Sequence, residues 1–291
     1  MHKGLPNFGN TCFFNSAIQC LKKLNSTKKM HKGLPNFGNT CFFNSAIQCM
    51  AHVPELTNHL FQNEYDGPCQ VTKEYGALLK TMWKGKDSPD PRALYEAFLT
   101  HFPKFTRFAP HDVQEVVLEL VNLFETTLGK ELIQDVFNGK EIQEVTYPKG
   151  VSKKEHDVTV IVLTPRTSGQ KLDELFRERE GMDAFSGYID DDGTQWHAAV
   201  TRTYITTFPR TLIVSFSQYN AKHSISVPQR YNGYALFGLV VHYGTVNGGH
   251  YAVYTKHRGV WRYIDDDVII EKEPPGTGEY YMAWYKRLLE K

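Results

Sequence analysis

Cys41 has the clearest route to reactivity in this 291-residue chain. It follows the turn GLPNFGNT, residues 33–40, and precedes a run, residues 42–50, whose spacing predicts a helix. Unpaired N–H groups and the positive end of the dipole at a helix start favour the thiolate, which is the nucleophilic form. The alternative is a buried, inert cysteine, the commonest fate of this residue type. His250 is the second candidate. It lies in VVHYGTVNGGHYAVYTK, residues 240–256, where Gly244, Gly248 and Gly249 predict a flexible hairpin connection that leaves the imidazole open to an approaching chain. His242, on the outgoing strand and without flanking glycines, is its nearest rival. Asp265, in WRYIDDDVII, residues 261–270, ends a strand able to pair with the one that His250 opens. Its carboxylate would then accept the other imidazole N–H and fix the tautomer. Asp266 and Asp267 stand beside it, and strand alternation alone does not say which of the three points inward. Asn36, five residues before Cys41, places an amide where it could donate to the oxyanion formed when a thiolate attacks a carbonyl, an interaction worth about 3 kcal/mol. Cys41, His250 and Asp265 together describe acyl transfer through a covalent thioester.

These residues need elements to hold them. The helix opened by Cys41 is expected to continue through MAHVPELTNHLF, where Met50, Val53, Leu56 and Leu60 keep helical spacing. Further helices are predicted over 72–83, 91–101 and 112–128, the last with Asp112 and Glu115 capping and charging its first turn. A charged helix is expected over 172–180 and an acidic turn over 187–194. Strands rich in valine, isoleucine and aromatics are predicted over 159–163, 196–207, 211–216, 234–243, 250–256, 260–264 and 279–285. Helices in the first 130 residues or so and strands thereafter imply an α+β fold with a largely antiparallel sheet, the cysteine helix packed against it.

Residues 1–20 and 30–49 are identical, so Cys12 copies Cys41 and Asn7 copies Asn36. Nothing later repeats the unit, which excludes a solenoid. The first copy is followed by the basic and polar run LKKLNSTKK, the second by the apolar continuation of a helix. Residues 1–29 are therefore expected to form a duplicated leader outside a core of residues 30–291, with Cys12 a secondary nucleophile candidate. The length suits one large domain. The balance of 33 basic against 32 acidic residues gives no pull toward nucleic acid or an anionic membrane. No apolar run reaches the length of a membrane span, and MHKGLPNF lacks the core of a signal peptide. Five cysteines, at 12, 20, 41, 49 and 69, are odd in number and clustered. They suit a reducing compartment, cytosol or nucleus, better than a disulfide framework.

GLPNFGNTCFFNS, GGHYAVYTK and WRYIDDDVII, in that order, resemble the cysteine and histidine boxes of the ubiquitin-specific protease family of deubiquitinases. EYYMAWYKR, residues 279–287, is similar to the family's closing tyrosine-rich strand, and FPRTLIVSFSQY, residues 208–219, to the strand before the substrate-facing part of the palm. HDVQEVVLEL, residues 111–120, resembles its central helix motif, with Asp112, Glu115 and Val117 at the aspartate, glutamate and leucine positions. The resemblance implies a papain-like cysteine peptidase of the thumb-palm-fingers type, the helical thumb covering about 31–130, fingers and part of the palm about 138–205, and the remaining antiparallel palm about 206–291. It implies that Cys41 is the nucleophile, His250 the general base, Asp265 its orienting partner and Asn36 the oxyanion donor. The bond cut would be the isopeptide or peptide bond after the C-terminal glycine of ubiquitin, with ubiquitin and ubiquitinated proteins as partners of a monomeric enzyme. Gly248, Gly249 and Tyr251 are expected to wall a channel for the glycine-glycine tail, with Tyr219 and Tyr243 as further candidates. Many members bind a structural zinc in the fingers through two CxxC pairs. Residues 141–148 and 187–199 hold no cysteine here, and His156 with His197 cannot make a four-ligand site alone, so no metal and no cofactor is expected. A ubiquitin-binding pseudoenzyme and a papain-like peptidase of another substrate class are the alternatives. Residues 1–29 lying in the substrate groove as an inhibitor is a further expectation.

Overall fold

A computed structural model of the chain describes residues 31–85, 87–218, 222–245 and 248–288. The leader with Cys12, and Tyr219, lie outside the described residues. The cysteine helix runs Cys41–Ala51, and all eleven of its residues are buried, as the centre of a lobe requires. It does not continue to residue 60. Pro54 lacks the N–H that would extend the ladder and pushes the preceding residue into extended backbone, where Val53 sits at φ −80° and ψ 109°. A separate helix, Pro54–Gln62, starts at that proline and still delivers Leu56 and Leu60 to the core. Helices Gln70–Lys84, Arg92–His101, Val113–Leu128 and Lys130–Phe137 complete the lobe. Asp112 caps the fifth of these six helices, Val113–Leu128, its carboxylate accepting the Gln114 N–H at 2.7 Å.

The palm is an eight-stranded sheet. Its strands lie in the order Val268–Glu271, Val260–Asp265, Gly248–His257, Tyr234–Thr245, Tyr280–Arg287, Thr211–Phe216 and Val160–Leu163, with Arg230–Tyr231 added beside Tyr234–Thr245. Every pair is antiparallel except Val160–Leu163 against Thr211–Phe216. Alternate side chains serve two cores. Val240, Val253, Ile264 and Met282 pack with the helical lobe, while Leu239, Val241, Tyr254 and Ala283 pack with Leu175 and Phe176 of the helix Leu172–Arg179. This double coverage explains why Thr211–Phe216 is buried along its whole length instead of alternating.

A second antiparallel sheet, ordered Gly150–Val158, Gly139–Tyr147, Ala199–Thr207 and Asp183–Phe185, forms the fingers. The hairpin 139–158 has no apolar alternation and was not expected from pattern. It is held by polar cross-strand matches, Glu144 accepting from Lys153 and Arg202 on its two neighbours at 2.8 Å each. At the tip, Tyr147 lies 4.9 Å from the Tyr188 ring and 5.5 Å from Trp196. Asp190 organises the acidic turn, accepting from the N–H groups of Asp192 and Thr194 and from Trp196 Nε1. Among the described residues no three His, Cys, Asp or Glu ligand atoms converge at this tip, and Asp190 and Asp192 are engaged by Trp196 and Lys149, so the residues present do not fit a zinc ion. Incubation with a chelator should leave the melting temperature unchanged, whereas Trp196→Ala should lower it; a chelator-induced drop would show that a metal holds the tip.

Four rings meet where the cysteine helix ends against the palm. His31 lies 4.4 Å from both His52 and Trp83, and Trp83 lies 4.7 Å from His257. Burial, first of all, holds the imidazoles neutral, lowering His31 and His257 to about 4 and His52 well below its ordinary value. The charged groups around them, Arg258, Arg262 and Lys286, are cations and oppose protonation further. The unfolded chain takes up these protons near 6.5 and the folded chain only near 4, so stability present above 6.5 is lost as pH falls through that window. At about pH 5 His31 alone accounts for a loss on the order of 2 kcal/mol. Thermal melts between neutral and mildly acid pH should show this slope, and His31→Phe should flatten it; an unaltered slope in that variant would assign the loss to other groups.

Candidate active site

The loop before Cys41 is built on the Asn36 side chain. Its Oδ1 accepts from Gly38 N–H at 2.9 Å and from the Thr40 N–H and hydroxyl at 3.2 Å each, an Asx arrangement that turns the chain into the helix. Asn36 Nδ2 donates to Asp266 Oδ2 at 2.8 Å. Asn44, one turn into the helix, donates to Asp266 Oδ1 at 2.9 Å and to the Leu34 and Pro35 carbonyls. Leu34 N–H in turn donates to the Asp266 carbonyl at 2.9 Å. The backbone approach is close enough that a Cβ at Gly33 would lie 2.5 Å from that carbonyl oxygen, so only glycine fits there.

The three aspartates are now distinguished. Asp265 ends its strand and its Oδ1 lies 2.5 Å from His250 Nε2. Asp266 and Asp267 form the two-residue turn to Val268–Glu271, Asp266 in the left-handed region at φ 51°, and this turn aims the Asp266 carboxylate at the Cys41 loop. Asp267 is exposed. Ligand atoms of His250, Asp265 and Asp266 all lie within 4.8 Å of one another. These atoms are already engaged, His250 with Asp265 and Asp266 with the two asparagines.

Cys41 is only 6% exposed. Burial pushes its thiol up, and the Asp266 charge adds to the rise, while the backbone N–H groups of Tyr251, Phe42 and Cys41 itself pull the other way. The helix-start effect expected from the sequence is present in those N–H groups, but desolvation outweighs it. Tyr251 follows His250 directly, so the sulfur sits against the backbone of the histidine strand. Among the described residues no hydrogen bond joins the sulfur to the His250 imidazole.

Cys41 faces a cleft of about 490 Å³ between the helical lobe and the palm. Gly248, Gly249 and Tyr251 line it. Tyr243 does not. It is the register partner of His250, is 49% exposed, and lies 3.4 Å by its hydroxyl from that of Tyr263. The glycines are also not a loose connection, because the strands continue to Thr245 and from Gly248. Gly248 has open space around it, but a Cβ at Gly249 would meet His242 Nε2 and the Tyr243 carbonyl at 2.3 Å. Gly249 therefore makes room for the protein's own imidazole. Sequence reasoning missed Asn44, His111, Gln218, Lys222 and Tyr281, all at the site or its wall. Asn44 left a signal, a polar residue one turn after Cys41 in a helix buried along its whole length. Tyr281 left none, since its hydroxyl reaches Asp112 across the lobe boundary only after folding.

The profile of the family described as ubiquitin carboxyl-terminal hydrolase matches residues 32–285. Ubiquitin carboxyl-terminal hydrolase 9 of Arabidopsis thaliana is 36% identical over 137 residues, covering 44% of this chain and 12% of the relative. Ubiquitin carboxyl-terminal hydrolase 15 of Homo sapiens is 38% identical over 138 residues, covering 44% of this chain and 11% of the relative. The matches thus span about one eighth of those relatives' length. Among solved structures, the SAGA DUB module of Ubp8, Sgf11, Sus1 and Sgf73 bound to ubiquitin aldehyde superposes with a TM-score of 0.75 at 15% identity, over 98% of this chain and 77% of the matched one. That likeness shows the papain-like thumb-palm-fingers fold. With the family profile running through thumb, fingers and palm alike, the chain belongs to the ubiquitin carboxyl-terminal hydrolase family.

Proposed function

We propose that the chain is a thiol-dependent deubiquitinase that hydrolyses the isopeptide or peptide bond after the C-terminal glycine of ubiquitin. The observation that carries this reading is the His250–Asp265 pair at 2.5 Å on a strand whose next residue, Tyr251, meets the Cys41 sulfur in one cleft. The solved relative with the same fold holds ubiquitin aldehyde. In the mechanism, His250 swings onto the thiol and takes its proton, and the sulfur attacks the glycine carbonyl. Asp265 accepts the Nε2 N–H and steadies the imidazolium. Asn36 uses one amide hydrogen on Asp266, which leaves its second to face the oxyanion. The imidazolium then gives its proton to the leaving lysine amine, and a thioester remains. His250 next takes a proton from water, and the hydroxide displaces the thiolate. Because burial holds the resting thiol protonated, the base must act at the moment of attack.

The reading extends to a monomer acting in a reducing compartment, cytosol or nucleus, consistent with Cys41, Cys49 and Cys69 all being free. No helix of the described residues is long and apolar enough to cross a membrane. Hydrolysis of a ubiquitin C-terminal fluorogenic amide, together with one covalent adduct to a ubiquitin C-terminal electrophile, is the expected result. Ubiquitin binding without either reaction would instead establish a pseudoenzyme. No binding and no reaction would point to a peptidase of another substrate class.

A further inference from the structure

His242 is the imidazole that the mechanism does not use. Its half-buried ring lines the Cys41 cleft and lies 4.4 Å from the Tyr251 ring at an angle of 38°. His242 and Tyr251 are register partners, and both rings lie against Tyr281 in the cleft facing the thumb. The ring is pinned from below by Gly249, whose missing side chain gives it room, and its own backbone carbonyl accepts from Lys222 Nζ at 2.7 Å. So the position is fixed by packing on two sides. Among the described residues neither ring nitrogen has a hydrogen-bond partner, although the ring is half-buried in a cleft. Burial, then Lys222, then His250 lower its pKa against the opposing charge of Asp112, which keeps it neutral near pH 7. A neutral imidazole offers one N–H donor and one lone pair, the complement of a backbone C=O and N–H.

Resting on the deubiquitinase reading, we propose that His242 is a specificity-determining residue that hydrogen-bonds the backbone of the ubiquitin tail as it passes between Tyr251 and the thumb toward Cys41. Such a contact selects for an extended chain with an accessible peptide edge. It acts on binding of the tail and leaves the proton transfers at His250 untouched.

The test compares two ligands, ubiquitin and ubiquitin lacking its last two glycines, on the full chain carrying Cys41→Ala. Adding His242→Phe should weaken binding of intact ubiquitin about fivefold to tenfold, the loss of one neutral hydrogen bond, and leave binding of the truncated form unchanged. His242→Gln, whose amide keeps a donor and an acceptor, should recover much of the loss. With Cys41 intact, His242→Phe should raise KM for the fluorogenic amide by a similar factor, with kcat and the acid limb of the pH profile unchanged. Equal weakening toward both ligands, no weakening at all, or a fall in kcat at constant KM would each overturn the proposal while the deubiquitinase reading stands. If the protein without the His242 substitution binds neither ligand, the deubiquitinase reading fails, and this one with it.

Discussion

Replacing Cys41 by alanine is expected to abolish turnover of the ubiquitin C-terminal amide, a loss of at least about 10⁴-fold in kcat, while ubiquitin binding is retained. The same substitution at Cys12 is expected to leave kcat/KM unchanged. The two cysteines share twenty residues of identical sequence, so only their attachment separates them. Cys41 opens a helix whose Asn44 and Gln48 side chains tie down residues 32–35, and whose loop is latched to Asp266. His250→Ala should lose nearly as much as Cys41→Ala, because the buried thiol ionises little without its base. Steady-state kinetics and intact-mass detection of the covalent adduct check all three variants. Loss of turnover in Cys12→Ala with retention in Cys41→Ala would reverse the choice of copy.

Asp266→Ala is expected to lower kcat about a hundred- to a thousandfold with a smaller change in KM. The Asp266 carboxylate touches no proton of the reaction, yet it is the acceptor for both Asn36 and Asn44. Without it, the Asn36 amide loses the contact that orients its second hydrogen, and the latch between hairpin turn and helix opens. Asp266→Asn isolates this effect, since asparagine tolerates the left-handed backbone at φ 51° while offering one acceptor oxygen in place of two. It should fall between wild type and alanine. Asp265→Asn, by contrast, should lower kcat through the orientation of the His250 ring, which that carboxylate contacts directly. A full-rate Asp266→Ala enzyme would show that Asn36 needs no help from the turn.

Local chemistry was legible in the sequence where a single segment carries it. The Cys41 helix start, the Asp112 cap and the His250 and Asp265 strands all follow from residues within a few positions of one another. The α+β architecture followed from the segregation of periodicities. What escaped was set by contacts between segments. Hydrophobic spacing ran on past Pro54 because the second helix uses the same core, although the backbone cannot. The 139–158 hairpin is stabilised by charge matches across strands, which leave no period in one strand read alone. Gly249 looked like an opening for substrate because the sequence does not show that His242 fills the space beside it. Asn36 was assigned to the oxyanion without Asp266, 230 residues away, being visible as its anchor.

The fingers differ from the rest of the molecule in what they bury. Apart from Val158 and Ile205 at the root, their four strands contribute nothing to either hydrophobic core, and the tip rests on Tyr147, Tyr188 and Trp196 packed above a partly solvated turn. A sheet held by ion pairs and a few rings opens at a lower free energy than the global transition. Amide hydrogens of residues 139–158 and 199–207 should therefore exchange by sub-global opening, as a unit, long before those of the palm strands at 211–216 and 280–287. Such a sheet can bend at small cost, while the Cys41 cleft lies between the helical lobe and the palm, where the two cores are packed.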